Sequence, residues 1–361
     1  MSTIRIPAYG RRLEDFKPGD VYEHPWDVTV DEGMAAFFAA SFQDATPTFA
    51  SRTYAQALGF RDRPVHPLLL LNLGLSFSVH DVSEQAIAHL AYIDVRFPEP
   101  CYAGDTLTAS SQVLSQKPTS KGDRGVVEVR TVLSNERGDV VCRFDRKALV
   151  RAGAVSGRPA DPWPKASQTD TADMPHLPAV LREGVKAPAR RAGFAGFFED
   201  FEVGDVFAHT VGKTVGESEH MQLTQLCRNS HPIHFDEVYC KDNSFAKTRV
   251  VYGGLVLSWV LALTSRDITG NAVWDMGLDQ GAHPGGVTAG DTLYANTKLL
   301  EKEDAGPGAG ILTLRVVGTR NTPGGALVER GLFEPELSKK DDKLKEKVVE
   351  ITRRVLVRKR P

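Results

Sequence analysis

The chain is poor in cysteine. Its 361 residues include four, at Cys101, Cys142, Cys227 and Cys240. None belongs to a Cys-x-x-Cys pair, and so wide a scatter is not typical of a disulfide framework. Cys227 lies near His231 and His234, but zinc needs short ligand spacings and a fourth ligand, and a cysteine nucleophile needs a base held by a third group. We therefore predict four buried free thiols and no metal site.

Other absences narrow the function further. A net charge of −2 and a pI near 6.6 give no basic surplus, which argues against nucleic acid as a partner. The longest apolar run, "PLLLLNLGLSFSV", is too short and too interrupted to span a bilayer, and no early segment resembles a secretory signal. No glycine-rich nucleotide loop is present. We expect a cytoplasmic protein with no membrane partner and no metal or redox cofactor.

The two halves of the chain repeat each other. "EDFKPGDVYEH" at 14–24 returns as "EDFEVGDVFAH" at 199–209, with seven of eleven letters identical. Two further words occur once in each half and in the same order, "AGDTL" at 103–107 and 289–293, and "LVR" at 149–151 and 356–358. Three words in one order indicate a duplication.

Each half also shows one pattern of elements. A helix with an acidic start precedes a helix that is apolar on nearly every face, "HPLLLLNLGLSFSV" or "GGLVLSWVLALTS", and strand-like runs follow. A helix of that kind must be buried all round, and a curved antiparallel sheet wrapped around it provides this. We predict an α+β fold, a double hot-dog whose sheets pair edge to edge. Its parts are an N-terminal repeat at 1–153, a Pro/Ala-rich linker at 154–194 and a C-terminal repeat at 195–361.

The stretch "RNSHPIH" at 228–234 carries the chemistry of the second half. An offset of 185 residues aligns Asn229 with Asp44 and His234 with Phe49. One copy has therefore lost the imidazole and the other has lost the carboxylate. The second half retains the group suited to proton transfer at neutral pH, whereas Asp44 is expected in the equivalent site of the first half.

This stretch resembles the motif of the MaoC-like (hydratase-2) enoyl-CoA hydratases, Gly-Asp-x-Asn-Pro-[Leu/Ile/Val]-His. The match is strong at Pro-Ile-His, while Arg228, Asn229 and His231 replace the family's Gly, Asp and Asn. In that family the Asp and His share one water and add it across a C=C conjugated to a thioester. The family's His-Gly pair at the start of the buried helix lines up with Gly253 and Gly254. A closer resemblance is to the mesaconyl-CoA hydratase branch of this family, and it rests on the words "EHMQ", "VVYGG", "AGDTLYA" and "YAGDTL". Proteins of that branch are fused double hot-dogs and also carry Asn at the Asp position.

The resemblance implies three catalytic residues, His234, Asn229 and Gly254. His234 would be the acid/base, with a pKa near working pH. Asn229 would orient water, since an amide cannot act as a base, and the Gly254 amide would stabilise an enolate at a helix N-terminus. From the residues alone, a lone histidine is more often a helix-cap or core residue. The asparagine is equally an N-cap or Asx-turn residue, and the alternative for the glycine pair is close helix packing.

Substrate binding is assigned to five further residues: Tyr252, Gly253, His231, Arg228 and Arg249. Either arginine would pair bidentately with the free carboxylate of a dicarboxylic acyl group. A carboxylate to replace the one missing at Asn229 must come from elsewhere, and Asp236 and Glu219 are the nearest in sequence.

The resemblance predicts a hydro-lyase that reversibly adds water to a short branched enoyl-CoA, with mesaconyl-CoA and beta-methylmalyl-CoA as the pair. Three alternatives stay open: a MaoC-like hydratase with another acyl chain, an acyl-CoA thioesterase, and a catalytically silent acyl-CoA binding protein. The lost Asp at 229 suggests the last of these. A homodimer of double hot-dogs is compatible with this architecture.

Overall fold

The computed structural model describes residues 4, 6, 8–154, 167–185, 196–336, 339 and 341–361. The α-helices of these residues are α1 Glu32–Phe42, α2 Pro47–Ala50, α3 Arg52–Ala57, α4 Pro67–Phe77, α5 Ala179–Arg182, α6 Glu217–Leu226, α7 Glu237–Asn243 and α8 Gly253–Leu263. The strands are β1 Val21–Glu23, β2 Val28–Thr29, β3 Ala86–Arg96, β4 Thr106–Pro118, β5 Arg124–Asn135, β6 Val140–Arg151, β7 Val206–Ala208, β8 Lys213–Thr214, β9 Ala272–Ala282, β10 Thr292–Asp304, β11 Ala309–Arg320 and β12 Lys347–Arg358.

These strands form one continuous antiparallel sheet. Its order is β1-β4-β5-β6-β3-β9-β12-β11-β10-β7, with β2 beside β4 and β8 beside β10. Strands β1 to β6 come from the first half of the chain and β7 to β12 from the second. The halves join between β3 and β9, where Tyr92 pairs with Gly281 and Val95 with Leu278. The predicted edge-to-edge pairing is confirmed, and it covers a strand edge that each half alone would expose.

The two apolar helices are buried, as their composition predicts. Every residue of α4 is buried, and so are residues 254–262 of α8. Each leucine that they withdraw from water contributes about 1.5–3 kcal/mol to folding. The helices meet at Asn72, whose Nδ2 donates to Ser258 Oγ at 3.0 Å and to the Gly254 carbonyl at 3.4 Å. One sheet whose two halves meet at β3 and β9, each half packed on its own buried helix, is the predicted double hot-dog.

The segment between the halves is described only in part. Of the predicted linker, residues 155–166 and 186–194 lie outside the described residues. The described piece contacts both halves. Gln168 Nε2 donates to the carbonyls of Ser110 and Arg130, each at 3.0 Å, and the Val185 amide donates to the Pro307 carbonyl at 3.4 Å. The repeat boundaries at 153 and 195 stay predictions.

The four cysteines are free and buried, as predicted. Within the described ranges, no helix is both long enough and apolar enough to cross a bilayer.

Candidate active site

The motif loop is shaped by its own polar side chains. After α6 ends, Arg228 adopts a left-handed conformation with φ of 63° and turns the chain. Asn229 Oδ1 then accepts from the His231 amide at 3.0 Å, which is the Asx-turn expected of an asparagine at this position. His231 Nδ1 accepts from the Ile233 amide at 3.2 Å and so caps a single 3₁₀ turn over Pro232–His234. These bonds fix the backbone from which His234 projects.

The hydrogen bonds of His234 define its tautomer. Its Nδ1 lies 2.8 Å from the Val250 carbonyl. A carbonyl only accepts, so Nδ1 carries the hydrogen, and Nε2 of the neutral ring bears a lone pair. Burial lowers the pKa of His234 to about 4, below the near-neutral value expected from the sequence, while the bond to Val250 acts to raise it. At neutral pH this imidazole is uncharged and available as a proton acceptor.

The N-terminus of α8 faces the same space. Gly253 and Gly254 occupy its first two positions, where an α-helix leaves amides without internal partners. Among the described residues neither amide donates a hydrogen bond. Gly254 also has a packing role, because a Cβ there would lie 2.1 Å from Asn72 Oδ1. Both predicted roles of the glycine pair are therefore compatible with the geometry.

A cavity of about 480 Å³ joins these groups. The second half contributes Asn229, His231, Ile233, His234, Phe245, residues 250–254, Val256 and residues 283–287. The first half contributes Leu75, Val79, Ser83, residues 86–89, Tyr92, Arg146 and Ala148. The cavity thus lies across the junction of the halves, and its wall is mostly apolar with a few polar groups, as is usual for small-molecule sites.

Six of the eight predicted site residues line this cavity: His234, Asn229, Gly254, Tyr252, Gly253 and His231. The predicted arginines do not. Arg228 is exposed on the turn after α6. Arg249 is held by carboxylates, with a contact to Glu217 and a second ion pair to Glu237 at 3.2 Å. Neither guanidinium lines this cavity, so the structure does not bring either arginine together with the other six predicted site residues.

The two carboxylates suggested as substitutes for the aspartate missing at position 229 make other contacts. Asp236 caps α7, and Glu219 pairs with Lys213 at 2.8 Å. Neither lines the cavity. A different carboxylate, Glu84, approaches the motif from the first half, where its Oε2 accepts from Ser230 Oγ at 3.4 Å. Burial raises the pKa of Glu84 above the ordinary value for glutamate.

Five polar residues of the cavity were missed from the sequence: Ser83, His89, Tyr92, Arg146 and His283. Tyr92 Oη donates to His283 Nε2 at 3.1 Å, because His283 Nδ1 donates to the Val348 carbonyl at 3.3 Å. The His283 ring lies against the α8 N-terminus, since a Cβ on Gly253 would be 3.0 Å from its Nε2. None of these residues lies in a recognisable motif, and only pairing of β3 with β9 brings them together.

The first half has a cavity of its own, of about 450 Å³, lined by Asp44, Arg63 and His66 among others. Asp44 lies there as expected, with its Oδ2 3.3 Å from His66 Nε2. Burial acts to raise the pKa of Asp44, but the bonds and charge of His66 outweigh it and hold the pKa below the ordinary aspartate value.

The buried histidines make stability sensitive to acid. Burial lowers the pKa of His231 to about 3 and the pKa values of His234 and His283 to about 4. The unfolded chain takes up these protons first, near pH 6.5. Stability is therefore present above about pH 6.5 and is lost as pH falls toward 4. We expect the melting temperature to fall by roughly 5–10 °C between pH 7 and pH 5.

Scanning calorimetry across that range measures this effect. His231→Asn retains an acceptor for the Ile233 amide and removes one titrating ring, so its melting temperature should fall less steeply. An equal slope in both proteins would contradict the assignment of His231 as a neutral buried imidazole.

Comparison with known proteins gives one consistent result. A family profile described as mesaconyl-CoA hydratase matches residues 5–318. The chain is 34% identical over 318 residues to a mesaconyl-CoA hydratase of Cereibacter sphaeroides, covering 86% of this chain and 90% of that protein. It is 32% identical over 324 residues to a beta-methylmalyl-CoA dehydratase of Chloroflexus aurantiacus, with coverage of 87% and 89%. A solved structure from Chloroflexus aurantiacus, described as a MaoC domain protein dehydratase, matches with a TM-score of 0.80 at 28% identity over 98% of both chains.

Proposed function

Because this chain belongs to the mesaconyl-CoA hydratase family of MaoC-like dehydratases, we propose that it adds water reversibly to the C=C of mesaconyl-CoA. The product is beta-methylmalyl-CoA, and the substrate carries its own coenzyme A. One observation in the site carries the proposal. One mostly apolar cavity contains the lone pair of a neutral imidazole, at His234 Nε2, and the backbone amides of Gly253 and Gly254. Within the described part of the chain, neither amide donates a hydrogen bond.

These groups suit both ends of a conjugate addition. His234 Nε2 takes a proton from water as the water oxygen bonds to the β carbon. The C=C electron pair moves onto the thioester oxygen, and the resulting enolate accepts hydrogen bonds from the Gly253 and Gly254 amides at the positive end of α8. The imidazolium then returns its proton to the α carbon, and the thioester carbonyl re-forms. Atoms balance, because one water enters and both of its hydrogens remain in the product.

Asn229 has a supporting role in this scheme. Its Oδ1 is occupied by the His231 amide, whereas its Nδ2 has no hydrogen-bond partner in the described part of the chain. That amide group would donate to the water oxygen and orient the water toward the β carbon. His231 and Tyr252 would bound the acyl chain, the tyrosine ring centroid lying 5.4 Å from that of His234.

The test mixes purified protein with mesaconyl-CoA and follows the absorbance of the conjugated enoyl thioester, with a thiol reagent in a parallel sample. We expect absorbance to fall with no free thiol. Release of coenzyme A would instead identify a thioesterase. A flat signal with tight binding would identify a silent acyl-CoA binding protein. A cytoplasmic location and a homodimer stay predictions.

A further inference from the structure

We propose that Arg146, supplied by the first half, binds the free carboxylate of the substrate and selects a dicarboxylic monothioester over an uncharged enoyl chain. This inference rests on the proposed function and deepens it, because mesaconyl-CoA carries a carboxylate on the β carbon. It also supplies a replacement for the two arginines that the cavity excludes.

Arg146 is a buried cation without a counter-charge. It lies on β6 with 4% of its surface exposed, and it lines the cavity. Its Nη2 donates to Ser78 Oγ at 2.8 Å and to Ser83 Oγ at 3.3 Å. Its Nε is buried with no partner, and within the described ranges no carboxylate lies at ion-pair distance. An unpaired buried charge costs several kcal/mol, so a structure retains one where a ligand compensates it.

The second half shows a partner that its equivalent of Arg146 has and that Arg146 lacks among the described residues. Strands β6 and β12 each contain twelve residues, and their alignment puts Arg353 at the position of Arg146. Strands β3 and β9 each contain eleven, and their alignment puts Asp275 at the position of His89. The sheet register agrees, since Tyr92 lies opposite Arg146 and its counterpart Leu278 lies opposite Arg353.

In the second half, this arginine has a partner. Arg353 is bound bidentately by Asp275, with Nε–Oδ1 at 3.1 Å and Nη2–Oδ2 at 2.7 Å, and both residues are buried. The first half has the same guanidinium but a histidine at the position of this carboxylate. This difference lies in the half whose arginine lines the cavity that contains His234.

His89 does not restore the charge balance. Its Nε2 donates to the Ala91 carbonyl at 2.8 Å. Burial, followed by the charge of Arg146, lowers the pKa of His89 well below the ordinary value, so the ring is neutral. Tyr92 and Tyr252 also face the guanidinium, and burial raises the pKa of each, so both are uncharged at neutral pH. A carboxylate entering the cavity would therefore meet a guanidinium that has no opposite charge among the described residues, and guanidinium groups bind carboxylates through paired N–H donors.

The experiment compares kcat/KM for mesaconyl-CoA with kcat/KM for crotonyl-CoA, which lacks the carboxylate. Arg146→Met should lower the value for mesaconyl-CoA by about 10- to 100-fold, the loss of a charge-assisted pair, and should not lower it for crotonyl-CoA. Arg130→Met is the matched control, because Arg130 pairs with Asp145 and lies off the cavity. In Arg130→Met, the ratio of kcat/KM for mesaconyl-CoA to kcat/KM for crotonyl-CoA should equal that of the wild type.

A binding measurement separates this inference from the proposed function. Calorimetric titration with methylsuccinyl-CoA and 2-methylbutyryl-CoA, which have no C=C to hydrate, should show the dicarboxylic ligand weakened selectively in Arg146→Met. Equal kcat/KM and affinity ratios in wild type and variant would overturn the role of Arg146. If the wild-type protein hydrates neither enoyl-CoA, the proposed function is wrong. The ratio of the affinities for methylsuccinyl-CoA and 2-methylbutyryl-CoA, compared between wild type and Arg146→Met, still tests whether Arg146 binds the carboxylate. Arg146→Gln, which keeps donors for Ser78 and Ser83, replaces Arg146→Met should the latter not fold.

Discussion

Replacing His234 by asparagine is expected to lower kcat for mesaconyl-CoA hydration by about 10³-fold, within the range for loss of a general base. Asparagine is the informative choice, because its Nδ2 matches His234 Nδ1 and retains the donor to the Val250 carbonyl. The loop should keep its shape, while the atom that accepts the proton from water disappears. Enoyl absorbance under saturating substrate gives kcat, and KM should change little.

The duplicated fold provides a matched control for this substitution. His66 lines the cavity of the first half, and its Nδ1 accepts from the Leu68 amide at 3.1 Å. His66→Asn removes an imidazole that is more deeply buried than His234 and retains an acceptor for that amide, so hydration should proceed at the wild-type rate below the melting temperature of both variants. A His234→Asn enzyme with wild-type kcat, or an equal loss in His66→Asn, would rule out His234 as the base of this reaction.

The second large effect is expected at the N-terminus of α8. Gly253→Pro removes one of the two amides proposed to bind the enolate, and the loss of one such donor costs about 10²–10³-fold in kcat. The backbone accepts this change, since proline is favoured at the first position of a helix. Tyr252, with ψ of 126°, has the extended conformation required before proline. The first half already has Pro67 at the equivalent position of α4.

The added side-chain atoms need their own control. Any Cβ on Gly253 approaches His283 Nε2 to 3.0 Å, so crowding alone lowers activity to some degree. Gly253→Ala introduces the same Cβ and keeps the amide. The ratio of kcat between Gly253→Ala and Gly253→Pro therefore measures the hydrogen bond, and a ratio near one would show that the Gly253 amide takes no part.

Much of this architecture was predictable because the duplication repeats a physical pattern. The uniform apolarity of α4 and α8 requires burial on every face, and that requirement leads to a sheet wrapped around each helix. The Asx-turn at Asn229 was also foreseeable, because a short amide side chain reaches its own backbone two residues ahead. Local spacing was sufficient for these features.

Where the arginines lie could not be predicted from local spacing. Arg249 is removed from the site by Glu217, which lies 32 residues away in sequence, and nothing in the local pattern indicates that contact. In the sequence, nothing distinguishes Arg146 from other strand residues. It lines the cavity because β3 pairs with β9, which places the two halves side by side. The sequence nevertheless contained one indication of this site. When β9 is aligned with β3, Asp275 of the second half lies at the position of His89 in the first.

The composite wall of the cavity has a consequence for how such an enzyme changes over evolutionary time. The proposed base and amides belong to the second half, whereas the proposed carboxylate anchor belongs to β6 of the first. Substitutions that retune acyl preference therefore need not touch the residues that perform the addition. A mutational library confined to 75–148 would vary the proposed carboxylate anchor and leave the proposed base and amides unchanged, so reaction and selectivity can change independently within one chain.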